Sequence, residues 1–139
     1  MYIDTHAHLD EDQFPDVDAV IAASREAGVR RIINIGYGPR RWQSSSDLSR
    51  RYPEVAITLG LHPSEAGLFT AELAETLIDL IRSEQPVGIG EAGIDLFRDG
   101  PELRQQQAVL AFQTDLAIEL GLPLVIHQRA AEAEVYAQL

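Results

Sequence analysis

The sequence has 139 residues, of which 45% are apolar, and a formal net charge of −11. This length and apolar fraction suit one globular domain and exclude a disordered chain, while the acidic balance argues against non-specific binding to duplex DNA through its phosphates. Without cysteine, any metal ion must be bound by His, Asp or Glu, and without a run of about 18 apolar residues we expect a cytoplasmic protein that does not span a membrane.

Short apolar strands alternate with amphipathic helices along the whole chain. In chain order the predicted elements are strand 2–8, helix 16–27, strand 29–37, helix 40–52, strand 55–61, helix 70–83, strand 87–91, helix 102–120, strand 122–127 and a helix that begins at residue 130. Gly28, Pro53 and Gly121 follow the ends of predicted helices, and Thr70 is a typical N-cap residue.

This alternation predicts an α/β protein with a parallel sheet and right-handed crossovers. Two architectures fit it, a doubly wound open sheet and a (β/α)8 barrel. A dinucleotide-binding open sheet has a glycine-rich loop after its first strand, whereas this chain has no glycine before Gly28. The sequence therefore favours a barrel of the TIM type.

A complete barrel of this type needs about 250 residues and eight strands, and this chain holds about five strand–helix units. We therefore interpret residues 1–139 as one domain that forms the N-terminal portion of a barrel. A parallel sheet that does not close has unpaired backbone at both edges. We expect self-association, or the C-terminal half of a longer chain, to cover those edges.

All four histidines fall at the C-terminal ends of predicted strands, where the active sites of such barrels lie. His6 and His8 end the first strand, and because side chains alternate along a strand they face the same side as Asp4. Two neighbouring imidazoles suit one zinc or transition-metal ion, and Asp4 is a candidate to orient one of them. The alternative is that both rings are packed in the strand with backbone partners.

Glu91 and His127 extend this pattern to the fourth and fifth strands. Glu91 ends the run VGIGE, where a buried carboxylate is costly unless it is paired or binds a metal ion, although a solvated strand end is the alternative. His127 ends LPLVIH, and Arg129 beyond it has the planar charge that suits a phosphate or carboxylate. His62, in GLHP, either contacts substrate or anchors its loop, and Asp95 is expected only to cap or turn the chain. The glycines of VGIGEAGID allow close approach of a neighbouring backbone.

Four motifs thus occur in one order at successive strand ends: IDTHAHLD, GLHP, GIGEAGID and VIHQR. In these motifs the sequence resembles the TatD family of metal-dependent hydrolases, over essentially the whole chain. The family patterns are roughly D-x-H-x-H-x-D, G-x-H-P, G-E-x-G-L-D and V-I-H-x-R.

The resemblance implies a (β/α)8 barrel with one or two divalent ions at its mouth, Mg²⁺, Mn²⁺ or Zn²⁺, and hydrolysis of phosphodiesters by a metal-activated water. In that scheme His6 and His8 bind the first ion, Glu91 bridges, and His127 binds the second. Glu91, His62 and Arg129 are then the catalytic candidates, and the substrate is DNA or a small phosphoester, as for a deoxyribonuclease or 3′–5′ exonuclease. The resemblance also implies a histidine on the sixth strand and a proton-accepting aspartate on the eighth. Since residues 1–139 contain neither, we expect this chain alone to be weakly active or inactive.

Two other functions remain open at this point. One is a non-catalytic remnant that at most binds metal and self-associates, and the other is an amide or ester hydrolase of the same superfamily. The sequence contains no lysine, so that a carboxylated lysine is excluded as a metal bridge. This favours the relatives that bridge their metals with glutamate.

Overall fold

Five strands alternate with six helices in the computed structural model, which describes residues 1–139. The strands are β1 (Tyr2–Ala7), β2 (Val29–Gly36), β3 (Val55–Leu59), β4 (Gly88–Asp95) and β5 (Leu124–Arg129). The α-helices are α1 (Val17–Glu26), α2 (Pro39–Arg51), α3 (Ala71–Glu84), α4 (Leu103–Leu120) and α5 (Glu132–Tyr136), and a 3-10 helix (Pro63–Leu68) follows β3. No helix has both the length and the apolar composition that crossing a membrane requires.

The five strands form one parallel sheet in which the spatial order is the sequence order, β1 to β5. A doubly wound sheet reverses its strand order at a switch point, whereas this sheet adds each new strand on the same side. The predicted α/β fold with barrel-type winding is therefore confirmed. β1 pairs only with β2 and β5 only with β4, so that each of these strands has one unpaired edge.

The core lies between the sheet and the helices that cover one of its faces. Ile57, Leu59 and Ile89 of the central strands pack there against Trp42 of α2 and Leu77 of α3. β4 is buried at every position, as expected for a strand covered on both faces. β1 is exposed at nearly every position, because it lies at an edge of the sheet.

Besides shifts of one or two residues at other ends, such as β3 ending at Leu59 and β5 spanning Leu124–Arg129, three segments differ from the predicted elements. β4 continues past Glu91 to Asp95, because residues 92–95 pair with residues 126–129 of β5. The 3-10 helix after His62 was not predicted; it begins at a proline, and the His62 side chain caps it by accepting a hydrogen bond from the Ser64 amide. α5 ends at Tyr136 and buries only Val135, since so short a helix has little packing to extend it.

Candidate metal centre

His6, His8 and Glu91 form one group of potential metal ligands. The Nε2 atoms of the two histidines are 3.3 Å apart, and the Nε2 atom of His6 lies 3.5 Å from Glu91 Oε2. Potential ligand atoms of the three residues all lie within 4.8 Å of one another. β1 and β4 are three strand spacings apart in the sheet, about 14 Å if it were flat. The contact therefore shows that the sheet curves and brings these strand ends together.

A second group contains His62, Glu91 and His127, whose potential ligand atoms satisfy the same 4.8 Å limit. His127 Nδ1 lies 2.9 Å from Glu91 Oε1 and 3.0 Å from His62 Nε2. Glu91 thus belongs to both groups and contacts one histidine with each of its carboxylate oxygens. The structure therefore brings the four predicted metal ligands together, and it adds His62, which was predicted as a catalytic candidate, to the second group.

Asp95 does more than the capping expected of it. Its Oδ1 atom accepts hydrogen bonds from the amides of Phe97 and Arg98, at 2.9 and 3.1 Å, and its Oδ2 atom lies 3.1 Å from His127 Nε2. Burial alone would raise the pKa of Asp95, but the amide donors and the His127 ring hold that pKa below its usual value. Asp95 therefore stays ionised and orients the imidazole of His127.

His62 anchors its loop, which is one of the two roles weighed for it, and contact with substrate stays a prediction. Its Nδ1 atom accepts a hydrogen bond from the Ser64 amide at 3.1 Å and so anchors the loop, while the other side of the ring faces His127. Burial, followed by the neighbouring His127, lowers the pKa of His62 to about 4. At neutral pH the His62 ring is therefore uncharged, and since its Nδ1 atom accepts from the Ser64 amide, its Nε2 atom carries the proton and donates toward His127 Nδ1.

The donor set of the two groups fits a divalent ion. Imidazole nitrogens and carboxylate oxygens lie 2.9 to 3.5 Å apart here. These atoms carry lone pairs, and the imidazole N–H groups are the only donors among them that can hydrogen-bond to those lone pairs. A cation among these atoms would satisfy several lone pairs at once. Neutral imidazole with carboxylate is the ligand combination of Zn²⁺, Mn²⁺, Fe²⁺ and Ni²⁺ sites.

A cavity of about 420 Å³ surrounds this centre, and five of its lining residues were missed by sequence reasoning. They follow the ends of β1 to β4, and they are Glu11, Tyr37, Ser64, Glu65 and Arg98. Tyr37 is the last residue of the predicted second strand, so the strand-end criterion applied to aromatic residues would have found it. Glu11 and Arg98 lie on loops, and Ser64 and Glu65 lie in the 3-10 helix, where the sequence carries no periodic signal of side-chain direction.

Two predicted side chains do not face the cavity. The guanidinium of Arg129 lies over the Phe97 ring, 4.0 Å from its centroid, and Arg129 is not among the lining residues. Asp4 accepts a hydrogen bond from the backbone amide of His6 at 3.0 Å, so its contact is with the strand and not with an imidazole ring.

A buried polar network holds the loop that follows His8. The Asn34 side chain accepts a hydrogen bond from the Leu9 amide at 2.6 Å and donates one to Asp10 at 3.2 Å. Ser44 donates a further hydrogen bond to the Asp10 carboxylate at 2.5 Å. Because buried polar groups are costly when unpaired, this network restricts the chain immediately after the first pair of histidines.

Two buried glutamines of α4 hold the loops of the second group. Gln113 accepts a hydrogen bond from the Leu61 amide at 2.8 Å and donates one to the Leu61 carbonyl at 3.0 Å. Gln106 binds the amide and carbonyl of Asp95 in the same manner, at 2.8 and 3.2 Å. The two glutamines are seven residues apart, so they lie on one face of α4. The helix thus positions the residue before His62 and the carboxylate that orients His127.

The substitution Gln113→Met is expected to lower the free energy of unfolding by about 2 to 4 kcal/mol, since it leaves a buried amide and a buried carbonyl without partners. Urea denaturation followed by circular dichroism measures this change. Gln107→Met, on the same helix but without side-chain hydrogen bonds, serves as the control and should stay within about 0.5 kcal/mol of wild type. Equal stability of the two variants would show that the Leu61 contacts do not stabilise the fold.

Comparison with known proteins places this chain in a family. Residues 3–139 match the family model described as TatD related DNase. The chain is 38% identical over 130 residues to the 3′-5′ ssDNA/RNA exonuclease TatD of Erwinia tasmaniensis, a match that covers 92% of this chain and 50% of that protein. It is 32% identical over 136 residues to the uncharacterized metal-dependent hydrolase YabD of Bacillus subtilis, covering 97% and 53% of the two chains.

Solved structures agree with this match. The TatD homologue YJJV of Escherichia coli K12 superimposes with a TM-score of 0.90 at 30% identity, covering 98% of this chain and 54% of that one. A TatD family hydrolase from Entamoeba histolytica, at 20% identity and a TM-score of 0.90, shares the fold. The chain spans about half the length of the curated relatives it matches, and its five strands form half of a TIM-type barrel. By its family match, its relatives and its fold, the chain belongs to the TatD related DNase family.

Proposed function

We propose that this chain is part of a metal-dependent phosphodiesterase that cleaves single-stranded nucleic acid from an end. The position of Glu91 carries the proposal, because one carboxylate contacts His6 through Oε2 and His127 through Oε1. Two groups of potential ligands that share a carboxylate suit two ions side by side, an arrangement found in phosphatases and nucleases. The exonuclease polarity is that of the relative from Erwinia tasmaniensis.

His6, His8 and Glu91 would hold one ion, and His127 with Glu91 would hold a second. The imidazole donors favour Zn²⁺ or Mn²⁺ over Mg²⁺, which prefers oxygen ligands. A divalent ion bound there supplies a water of lowered pKa and neutralises charge on the phosphoryl oxygens.

The protein's own groups prepare the site for an anionic substrate. Asp95 keeps the His127 ring in one orientation through the 3.1 Å contact. His62 is uncharged at neutral pH, because burial and the neighbouring His127 lower its pKa to about 4, so that it adds no charge beside the candidate ligands. Arg98 lines the cavity and presents a guanidinium suited to a phosphate. Arg129, held over Phe97, is the more distant candidate for that role.

Residues 1–139 are proposed to form one domain, the N-terminal portion of a TatD-like barrel. The open edge of β1, where Tyr2 and Ile3 are exposed, is then available to a second copy or to a further segment of barrel. The cytoplasmic location expected from the sequence stays a proposal.

A non-catalytic protein that binds metal and self-associates is the second candidate. The exposed edge of β1 favours it, because unpaired strand edges promote pairing between chains. Light scattering of the purified chain measures its oligomeric state. A stable monomer would contradict self-association.

The proposed activity is tested with single-stranded DNA, a model phosphodiester and matched ester and amide substrates, each with Mg²⁺, Mn²⁺ or Zn²⁺ added separately. We expect cleavage of the phosphodiesters only, and its loss in His6→Ala and in Glu91→Ala. Phosphodiester cleavage that survives both substitutions would contradict the proposed site. Cleavage of the ester or amide alone would reassign the reaction, and ion binding without any hydrolysis would favour the non-catalytic candidate.

A further inference from the structure

Side chains of two kinds line the cavity beside the candidate ligands. Glu11, Tyr37 and Glu65 follow β1, β2 and β3 and are called here the acidic wall. Arg98 follows β4 and carries the opposite charge.

Tyr37 forms the middle of the acidic wall and stands against the metal centre. Its ring centroid is 5.2 Å from that of His8 and 6.0 Å from that of His62, both in edge-to-face geometry. Its hydroxyl donates a hydrogen bond to Glu11 Oε1 at 3.1 Å. Aromatic side chains of this kind are the usual stacking surface for unpaired nucleobases.

Two carboxylates flank Tyr37. Glu11 accepts a hydrogen bond from the Tyr37 hydroxyl. Glu65 packs against Gly38, the residue after Tyr37: its Cγ atom lies 3.2 Å from the position that a Cβ atom on Gly38 would occupy. No ion pair neutralises either carboxylate. Arg41, which is also close to Tyr37, donates to the Asp10 carbonyl and does not line the cavity. The acidic wall therefore repels phosphate but accepts hydrogen bonds from hydroxyl groups.

Arg98 is the only arginine that lines the cavity. Its side chain is 61% exposed, and its Nε atom is 4.0 Å from Asp95 Oδ2, a distance at which the guanidinium remains free to bind a second anion. A polynucleotide carries a phosphate at every residue, so Arg98 attracts it and the carboxylates of the acidic wall repel it.

We propose that the acidic wall is a subsite for the terminal nucleoside of a single strand, with its base against Tyr37 and its free 3′-hydroxyl near Glu11 and Glu65. The rest of the strand leaves past Arg98. A strand that continued beyond the acidic wall would have to bring its next phosphate between two carboxylates. The pocket therefore selects a chain end that carries a hydroxyl and no phosphate. This inference rests on the proposed function, and it assigns the residues that make the site specific for ends.

The test measures binding of the whole chain to a short 5′-labelled oligodeoxythymidylate, ending in either a 3′-hydroxyl or a 3′-phosphate, by fluorescence anisotropy with Ca²⁺. We expect wild type to bind the hydroxyl end at least about ten-fold more tightly than the phosphate end. In the double variant Glu11→Gln/Glu65→Gln this preference should shrink to about two-fold or less, through tighter binding of the phosphate end.

Further variants separate the parts of the subsite. Tyr37→Leu should weaken binding of both oligonucleotides by about ten-fold or more, through lost stacking, without changing the preference between ends. Arg98→Gln should weaken both and reduce the salt dependence of binding. Glu119→Gln and Arg30→Gln, both exposed and outside the cavity lining, are the matched controls and should behave as wild type. Circular dichroism checks that each variant is folded.

The outcomes distinguish this inference from the proposed function. Binding of both ends with equal affinity by wild type, or an end preference that the double variant retains, would overturn the subsite and leave the phosphodiesterase intact. Failure of wild type to bind either oligonucleotide would overturn both.

Discussion

The substitution Glu91→Gln is expected to weaken binding of Zn²⁺ or Mn²⁺ by at least about 100-fold, because loss of a group that merely orients a ligand already costs about 10- to 100-fold. Glu91 belongs to both groups of potential ligands, so that the substitution removes a negative charge from each of them. Phosphodiester cleavage, where wild type shows it, should be lost in parallel.

The fold should survive this change. The Glu91 side chain is almost fully buried, and a glutamine of the same size removes the cost of burying a charge in the metal-free protein. Isothermal titration calorimetry measures the affinity, and thermal unfolding with excess chelator measures the stability. Glu119→Gln, the same chemical change on the exposed face of α4, is the control. Wild-type affinity in Glu91→Gln would place the ion elsewhere.

The substitution Gly93→Ala is expected to produce the largest loss of stability, about 4 kcal/mol or more. A Cβ atom at position 93 would lie 1.8 Å from the carbonyl oxygen of His127, far inside contact distance. Gly93 and His127 are partners in the pairing of β4 with β5. The added Cβ atom would therefore collide with the backbone of the neighbouring strand, which cannot rotate out of the way as a side chain can. The two strands must then separate, which also moves His127 from Glu91.

Urea denaturation of Gly93→Ala measures this loss. A variant that is already unfolded without urea would also support the prediction. Gly100→Ala is the matched control, because the nearest atom to its added Cβ is 4.0 Å away, and its stability should change by about 0.5 kcal/mol or less. A Gly93→Ala protein within about 1 kcal/mol of wild type would show that the strands tolerate wider spacing than their pairing indicates.

The metal-ligand candidates could be identified from the sequence because they fall at predicted strand ends, although Glu91 and His127 lie inside β4 and β5 in the structure. Side chains alternate along a strand, so His6 and His8 had to share a face once the first strand was recognised. The order of apolar runs and helix ends likewise predicts the parallel barrel-type winding that the sheet shows. The close approach expected at the glycines of β4 is also present, since Gly90 and Gly93 lie directly against the backbone of β5.

The residues around these ligands could not be assigned in the same way. Arg98 and Arg129 look alike in sequence, yet one lines the cavity and the other lies over Phe97. Gln106 and Gln113 resemble surface residues of an amphipathic helix, yet both are buried and bind backbone groups of two different loops. Their partners lie 11 and 52 residues away along the chain, beyond the reach of any local pattern.

The sequence by itself determined the strand–helix alternation and the residue types at the strand ends, because both follow from periodicity over a few residues. The tertiary structure decided that Glu91 touches histidines of two different strands, that Asp95 orients His127, and that Tyr37 and Arg98 line the same cavity. These contacts depend on how far the sheet curves and on which way each loop turns. Both are set by packing between elements distant in sequence, which local propensities do not encode.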